Sequence, residues 1–446
     1  MDKIIITTIL FLIIMSASYF FIYRKRENTG TENKDTLFYL SLVIITAAFL
    51  KFAGSLFYYE RGDMGAFIAW MNTLQKNGFA GFYTKYGLCY PPLHIFAVYI
   101  INIICSIFNI GNYSTAQIML LKSPALICDL LTGILIYKIG KKHISPKAGV
   151  FSCILYLLNP AVFFNSGVWG QMDSIFTFFI VLTCYLIGEK KLKAAYFTFA
   201  ASILFKYQGI IFTPVIIYGI LDQVILNNCT VKKFFSHLFT GLGAIAAMAV
   251  CHLPFIFGNG MASTNTSTIT SAYGEALTAY KFASVNAYNF WAMLGLNWHT
   301  QEDTFLGIKY STWGTIAIIL LVIASLAISL CCGKAKSKYP VLAAFIISTM
   351  FLFSVRMHER YLFPAIPLIF VAFLMKPGIE LFIAYCGFTL MNLYNCAHVL
   401  FCYSPRAFDP KAPAIVGISA GTLIIWIIFV IGILRQYVFS IPEDNK

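Results

Sequence analysis

The sequence predicts an all-α integral membrane protein, and three observations carry that expectation. The 446-residue chain is 59% hydrophobic and only 11% charged, with a mean hydropathy of +0.77. Apolar runs long enough to cross roughly 30 Å of hydrocarbon recur from end to end. The basic residues behind the net charge of +14 sit in short loops between those runs, as the positive-inside bias places them. That placement removes the case for nucleic acid as a partner and makes membrane lipid the expected surroundings. No polar stretch is long enough for a soluble domain, so 1–446 reads as a single membrane domain.

About 13 transmembrane helices are expected, at 3–23, 36–58, 119–138, 148–165, 173–188, 194–206, 209–225, 234–257, 311–331, 339–355, 361–375, 379–401 and 414–436. The first exceeds a signal-peptide h-region and lacks a clean cleavage motif, so it is expected to remain as a helix. Arg24-Lys25-Arg26 with Lys34, Lys138 with Lys141-Lys142 and Lys147, and Lys190-Lys191 with Lys193 mark cytosolic loops. Lys232-Lys233, Lys334-Lys336-Lys338, Lys376 and Arg435 extend the same alternation, with the amino terminus outside and the carboxyl terminus inside. Residues 93–109 are apolar enough to cross, yet crossing there would put the Lys141-Lys142 loop outside. With two prolines at its start, this segment is expected to be a re-entrant or interfacial helix. The outer face then receives two sizeable loops, 59–118 and 258–310. No long internal repeat is visible, which weakens a reading as a transporter built from inverted halves. The 12 cysteines are scattered, and Cys105, Cys128, Cys153 and Cys184 fall inside spans. Neither a disulfide framework nor a zinc site follows.

Chemistry is expected where acids stand at the outer face, because carboxylates near lipid are costly and those that persist usually have a use. Of 18 acidic residues, Glu60, Asp63, Asp173, Glu275, Glu302, Asp303, Glu359 and Asp409 map there. Glu60-Arg61-Gly62-Asp63 opens an amphipathic stretch in which Met64, Phe67, Ile68, Met71 and Leu74 recur at helical spacing. Asp63 suits a helix N-cap and equally a general base. Asn159-Pro160 with Asn165, Trp169, Gly170, Gln171 and Asp173 forms a second cluster. Indole, amide and carboxylate together suit a sugar, and equally an aromatic anchor with a capped helix start. Lys206-Tyr207-Gln208 and Arg356-Met357-His358-Glu359-Arg360-Tyr361 place cations on the face that the bias leaves poor in them. Phosphate explains them best. Lys122 and Asp129 share a helix face about 10 Å apart, too far for direct pairing. Ser284-Val285-Asn286-Ala287-Tyr288-Asn289-Phe290-Trp291 gives the second large loop an aromatic edge. No Walker motif, Gly-rich dinucleotide turn or nucleophile elbow is present.

Taken in order, these pieces resemble the polytopic GT-C glycosyltransferases, in particular bacterial relatives of the second mannosyltransferase of GPI-anchor assembly. The likeness rests on Asp63 with Phe67 and Trp70, Tyr90-Pro91-Pro92-Leu93, Lys122 to Asp129, Asn159-Pro160 with Trp169-Gly170-Gln171-Met172-Asp173, and Phe205-Lys206-Tyr207-Gln208. Ser284 to Trp291 and His358-Glu359-Arg360-Tyr361-Leu362-Phe363-Pro364 complete it, so that 36–375 would be the glycosyltransferase core. The resemblance implies a GT-C-like fold and inverting transfer of a hexose, mannose-like, from a polyprenyl-phosphate sugar donor to an acceptor hydroxyl outside. It implies Asp63 as catalytic base, and Lys206, His358 and Arg360 at the lipid phosphate. The remaining substrate-binding candidates are Glu60, Tyr90, Lys122, Trp169, Gln171, Asp173, Gln208, Asn286 and Glu359. The chain departs from the pattern by an extra amino-terminal span and by having no soluble carboxyl-terminal domain, which argues against an oligosaccharide transferase acting on protein.

The acceptor stays open among glycan, lipid and protein. The expected location is the plasma membrane with the site outside, or the lumenal face of the ER membrane in a eukaryote. No cofactor is required by the sequence, though Asp63 and Asp173 could share a divalent cation. The alternative reading is a lipid-linked sugar flippase or polysaccharide polymerase. A flippase should need polar residues along a path on both sides, whereas the acids here favour the outer loops.

Overall fold

The computed structural model describes residues 2–24, 34–80, 82–85, 90–227, 229–257, 274, 279–333, 335–403 and 409–439. Glu275 and most of the Ser/Thr/Asn-rich stretch before Ser284 lie outside them. The molecule is an all-α membrane protein, 78% helical, as a backbone that must satisfy its own hydrogen bonds in lipid requires.

In chain order the helices are α1 (Asp2–Arg24), α2 (Lys34–Gly54), α3 (Arg61–Asn77), α4 (Phe82–Lys85), α5 (Pro92–Ile107) and α6 (Thr115–His143). There follow α7 (Pro146–Leu157), α8 (Pro160–Phe163) with a π-turn at Phe164–Trp169, α9 (Asp173–Gly188) and α10 (Leu192–Phe205). A 3-10 turn at Tyr207–Phe212 leads into α11 (Thr213–Ile220), and α12 covers Val231–Phe257. After α13 (Phe290–Met293), the strands β1 (Thr304–Phe305) and β2 (Ile308–Lys309) pair antiparallel. The chain ends with α14 (Tyr310–Cys331), α15 (Lys338–Phe353), α16 (Ala365–Met375), α17 (Ile379–Cys402) and α18 (Pro413–Ile433).

Helix occupies every segment expected to span. Among the described residues six helical stretches are long and apolar enough to cross a membrane on their own: 34–54, 115–143, 207–225, 231–257, 310–331 and 413–438. The segment expected as one span at 148–165 is two pieces bent by 47°. The bend has a local cause. Asn159 sits extended and its Oδ1 accepts from the amides of Ala161 and Val162, capping a new helix whose first residue is Pro160.

The chain divides into two compact units, one of 1–50, 129–164 and 282–446, the other of 51–128 and 165–281. In the first, Asn159 Nδ2 donates to Tyr385 Oη at 3.0 Å and to Thr389 Oγ1 at 2.9 Å, tying α8 to α17. Tyr19 of α1 packs on Phe373 and Phe382. In the second, α9 and α10 form a hairpin, and α3 lies against α5. The apolar stripe expected on α3 is buried: Met64, Phe67, Ile68, Met71 and Leu74, with Trp70 beside them, join Ile95, Val98 and Leu121. Burying each such side chain is worth about 1.5–3 kcal/mol, so this short amphipathic helix is held by one face. α5, with 16 residues, starts on Pro92 after an extended Pro91, and Pro at the first helical position needs no amide partner.

Candidate active site

Nine of the thirteen candidate residues fall in the second unit: Glu60, Asp63, Tyr90, Lys122, Trp169, Gln171, Asp173, Lys206 and Gln208. Asp63 is not the N-cap of α3. Glu60 takes that place, and its Oε2 accepts from the Asp63 amide at 2.6 Å. That leaves the Asp63 carboxylate, in the first turn, to reach across the chain. Its Oδ2 accepts from Trp169 Nε1 at 2.8 Å and from Gln171 Nε2. Among the described residues Oδ1 has no protein partner. The two loops are clasped by their backbones as well, with the Glu60 amide donating to Trp169 O at 3.1 Å. Gly170 makes this close approach feasible. Its φ is +90°, and a Cβ there would stand 2.4 Å from Met64 Cε and 3.2 Å from Lys122 Cε.

Tyr90 is half-buried and its hydroxyl faces Gln171 Oε1 at 3.5 Å, the outer limit of a hydrogen bond. Lys206 and Asp173 form an ion pair, with side chains 3% and 2% exposed. The Lys206 ammonium lies 5.5 Å from the centroid of the Tyr90 ring. A buried charge needs such a partner, so Lys206, expected at the donor phosphate, is already balanced by a carboxylate. The two acids suggested to share a cation are each engaged by nitrogen donors, Asp63 by an indole and an amide, Asp173 by the ammonium. Gln208 is half-buried in the 3-10 turn. Lys122 is fully buried, and its ammonium donates to three backbone carbonyls.

One residue here was not singled out from sequence. His94 is 1% exposed, its ring 4.5 Å from that of Tyr90, 5.2 Å from Phe67 and 6.0 Å from Trp70. Neither ring nitrogen has a hydrogen-bond partner among the described residues. The available signal was a histidine directly after Tyr-Pro-Pro-Leu in an otherwise apolar helix.

The other four candidates, Asn286, His358, Glu359 and Arg360, lie in the first unit. Val285 and Asn286 bridge to His358, so the loop near Asn286 and the His-Glu-Arg run form one surface. Arg360 Nη1 donates to Glu359 Oε1 at 2.5 Å, and His358 Nδ1 is 4.0 Å from Glu359 Oε2. Asn286 works inside the loop: its φ is +59°, its Oδ1 accepts from Trp298 Nε1 at 2.9 Å and Asn297 Nδ2 at 3.2 Å, and its amide donates to Asn297 Oδ1. Burial, with the Glu359 charge second, pushes the Tyr288 phenol up, and it meets His398 Nδ1 as a hydroxyl at 2.6 Å. Glu302 holds Lys309 at 2.8 Å, and that hydrogen bond raises the ammonium.

Residues 91–255 match the family described as dolichyl-phosphate-mannose-protein mannosyltransferase. No curated protein matches the chain. The matched segment holds Lys122, Trp169, Gln171, Asp173, Lys206 and Gln208, begins one residue after Tyr90, and ends before Asn286. The match covers less than half of the chain, and what it supports is an enzyme, a membrane glycosyltransferase of the GT-C type. The matched family indicates a mannosyltransferase-like, polyprenyl-phosphate-sugar-dependent activity, and the apolar helices make the chain a multi-pass membrane protein.

Proposed function

We propose that the chain transfers a mannose-like hexose with inversion from a polyprenyl-phosphate sugar to an acceptor hydroxyl at the outer face of the membrane, with Asp63 as general base. The observation that carries this is the Asp63 carboxylate, oriented through Oδ2 by Trp169 and Gln171 while Oδ1 has no protein partner among the described residues. In the reaction the acceptor oxygen attacks the anomeric carbon opposite the phosphate. The new glycosidic bond forms as the carbon–oxygen bond to phosphate breaks, and Asp63 Oδ1 takes the hydroxyl proton. Polyprenyl phosphate leaves with one more negative charge than the diester carried. Removing the proton in the transition state is worth roughly 10²–10⁴-fold. Cations near the leaving phosphate favour its added charge, the role proposed for His358 and Arg360.

The family's name specifies a protein acceptor, while the residues of this chain leave glycan, lipid and protein acceptors open. Purified protein incubated with polyprenyl-phosphate mannose and each acceptor class is expected to give one product heavier by a single hexose, of inverted anomeric configuration by mass spectrometry and NMR. Retention of configuration would remove the single-displacement mechanism. For the membrane face, Leu306 at the 80%-exposed hairpin tip and Ala335 between α14 and α15 are the markers. In a cysteine-free background, Leu306→Cys should react with an impermeant maleimide in intact cells and Ala335→Cys should not. The reverse pattern would put the site in the cytosol.

A further inference from the structure

We infer that Lys122 is a positioning residue for the Asp63 site, pinning together the two loops that create it, and does not bind donor phosphate. Lys122 stands on α6 two residues before Pro124 and is 0% exposed. Its ammonium donates to Ser55 O at 2.8 Å, Tyr58 O at 2.5 Å and Gly167 O at 2.5 Å. An ammonium has three donors and no acceptor, so its capacity is fully used by backbone. Among the described residues no carboxylate lies within ion-pair distance of it.

The identity of those carbonyls decides the reading. Ser55 and Tyr58 belong to the segment that leaves α2 and runs into Glu60 and Asp63. Gly167 belongs to the π-turn that runs into Trp169 and Gln171. The base and its two hydrogen-bond donors therefore arrive on separate loops, 106 and 108 positions apart, and one side chain from a third segment grips both. The Lys122 stem closes the arrangement from below, since any side chain at Gly170 would stand 3.2 Å from its Cε. A compact ammonium suits three converging oxygens from two directions, which a planar guanidinium fork does not. An apolar residue would leave three carbonyls without this donor and remove the grip that a third segment has on both loops.

The inference rests on Asp63 as the base, and the test separates the two. Lys122→Met is compared with wild type for donor saturation kinetics and for backbone hydrogen exchange. The expected result is kcat lower by about 10²-fold, the scale on which misplacing a reacting group costs rate, with the donor KM within threefold. Amides of 55–60 and 167–171 should exchange at least tenfold faster, while those of α9 and α10 stay unchanged. A donor KM raised tenfold with kcat preserved would make Lys122 a phosphate ligand and overturn the assignment. So would unchanged kinetics with unchanged exchange, the behaviour of an ordinary buried lysine. If Lys122→Met does not fold, Lys122→Gln, which keeps two donors, takes its place. Failure of both to fold overturns the local role, because Lys122 would then serve the fold at large. The exchange measurement reads the pin whatever Asp63→Asn does to transfer, so an error about the base would not be mistaken for an error about the lysine.

Discussion

Asp63, in the first turn of α3, and Glu359 are carboxylates of the two units, and they are held by opposite kinds of partner. Two neutral N–H groups grip one oxygen of Asp63 and leave the other without a protein partner among the described residues. Glu359 is bound by the Arg360 guanidinium, with His358 at 4.0 Å, and its side chain is 5% exposed. A carboxylate oriented by neutral donors keeps its charge for a proton. One already matched to a guanidinium spends its charge on holding that cation in place. The same contrast separates Lys122 and Lys206, both buried in the second unit. Lys206 is balanced by Asp173, whereas Lys122 is satisfied by carbonyl dipoles alone. Like residue types in one chain thus differ in whether neutral dipoles or an opposite charge holds them.

The largest expected effect tests the first half of that contrast. Asp63→Asn keeps the shape and can still accept from Trp169, but an amide cannot take the acceptor proton. Transfer should fall at least 100-fold, within the range for loss of a general base, with the protein still folded and inserted. Activity within threefold of wild type would reduce Asp63 to a member of the first helical turn. Glu359→Gln, which weakens a cation's anchor and removes no base, should cost less in kcat than Asp63→Asn. An equal loss would erase the distinction between the two carboxylates.

Next in size is Arg360. If Arg360 holds the donor phosphate as proposed, truncation to Ala removes a charge-assisted hydrogen bond worth about 1.5–3 kcal/mol, or roughly 10- to 150-fold in donor kcat/KM. Arg360→Lys should recover only part, since an ammonium cannot reproduce the planar two-point contact. Donor and acceptor saturation curves on the same preparations decide. A change confined to the acceptor curve would move the His-Glu-Arg run to the acceptor.

What sequence could show of this contrast depended on distance along the chain. The buried face of α3 was legible because Met64, Phe67, Ile68, Met71 and Leu74 announce themselves by helical spacing within one short segment. The spans were legible for the same reason, as composition within a window. The break at Asn159 was only half visible. Proline after asparagine signals a disturbed helix, but a true break requires that the asparagine side chain cap the new start. Each main candidate of the site could be picked by type, since acids, indoles and cations are scarce in so apolar a chain. Their pairing could not. Trp169 and Gln171 read as a sugar-binding cluster of their own, because nothing local says that a carboxylate 106 positions earlier will take their N–H groups. Lys206 read as a phosphate ligand because its partner Asp173 lies on another helix. Lys122 hides its role most fully, for its partners are backbone carbonyls and leave no mark in the side-chain sequence.

The smallest effect on transfer is expected at Asn286, also a substrate-binding candidate from sequence. Its side-chain oxygen is occupied by Trp298 and Asn297, its own carbonyl accepts from Asn395 Nδ2 at 2.8 Å, and its backbone is left-handed at φ +59°. Asn is among the few non-glycine residues that take that conformation readily. Asn286→Ala should therefore act on stability. It loses hydrogen bonds that leave buried donors unsatisfied, about 1–3 kcal/mol, and puts a Cβ-bearing residue without local compensation in the left-handed region, about 1–2 kcal/mol more. Asn286→Gly loses the same hydrogen bonds without that conformational cost, so its melting temperature in detergent should lie between wild type and Asn286→Ala. Both variants should keep donor kcat/KM within about threefold at a temperature where they are folded. A tenfold rise in donor KM in the glycine variant, with its stability near wild type, would return Asn286 to the substrate and show that an amide whose oxygen is already engaged gives up its partners when the donor arrives.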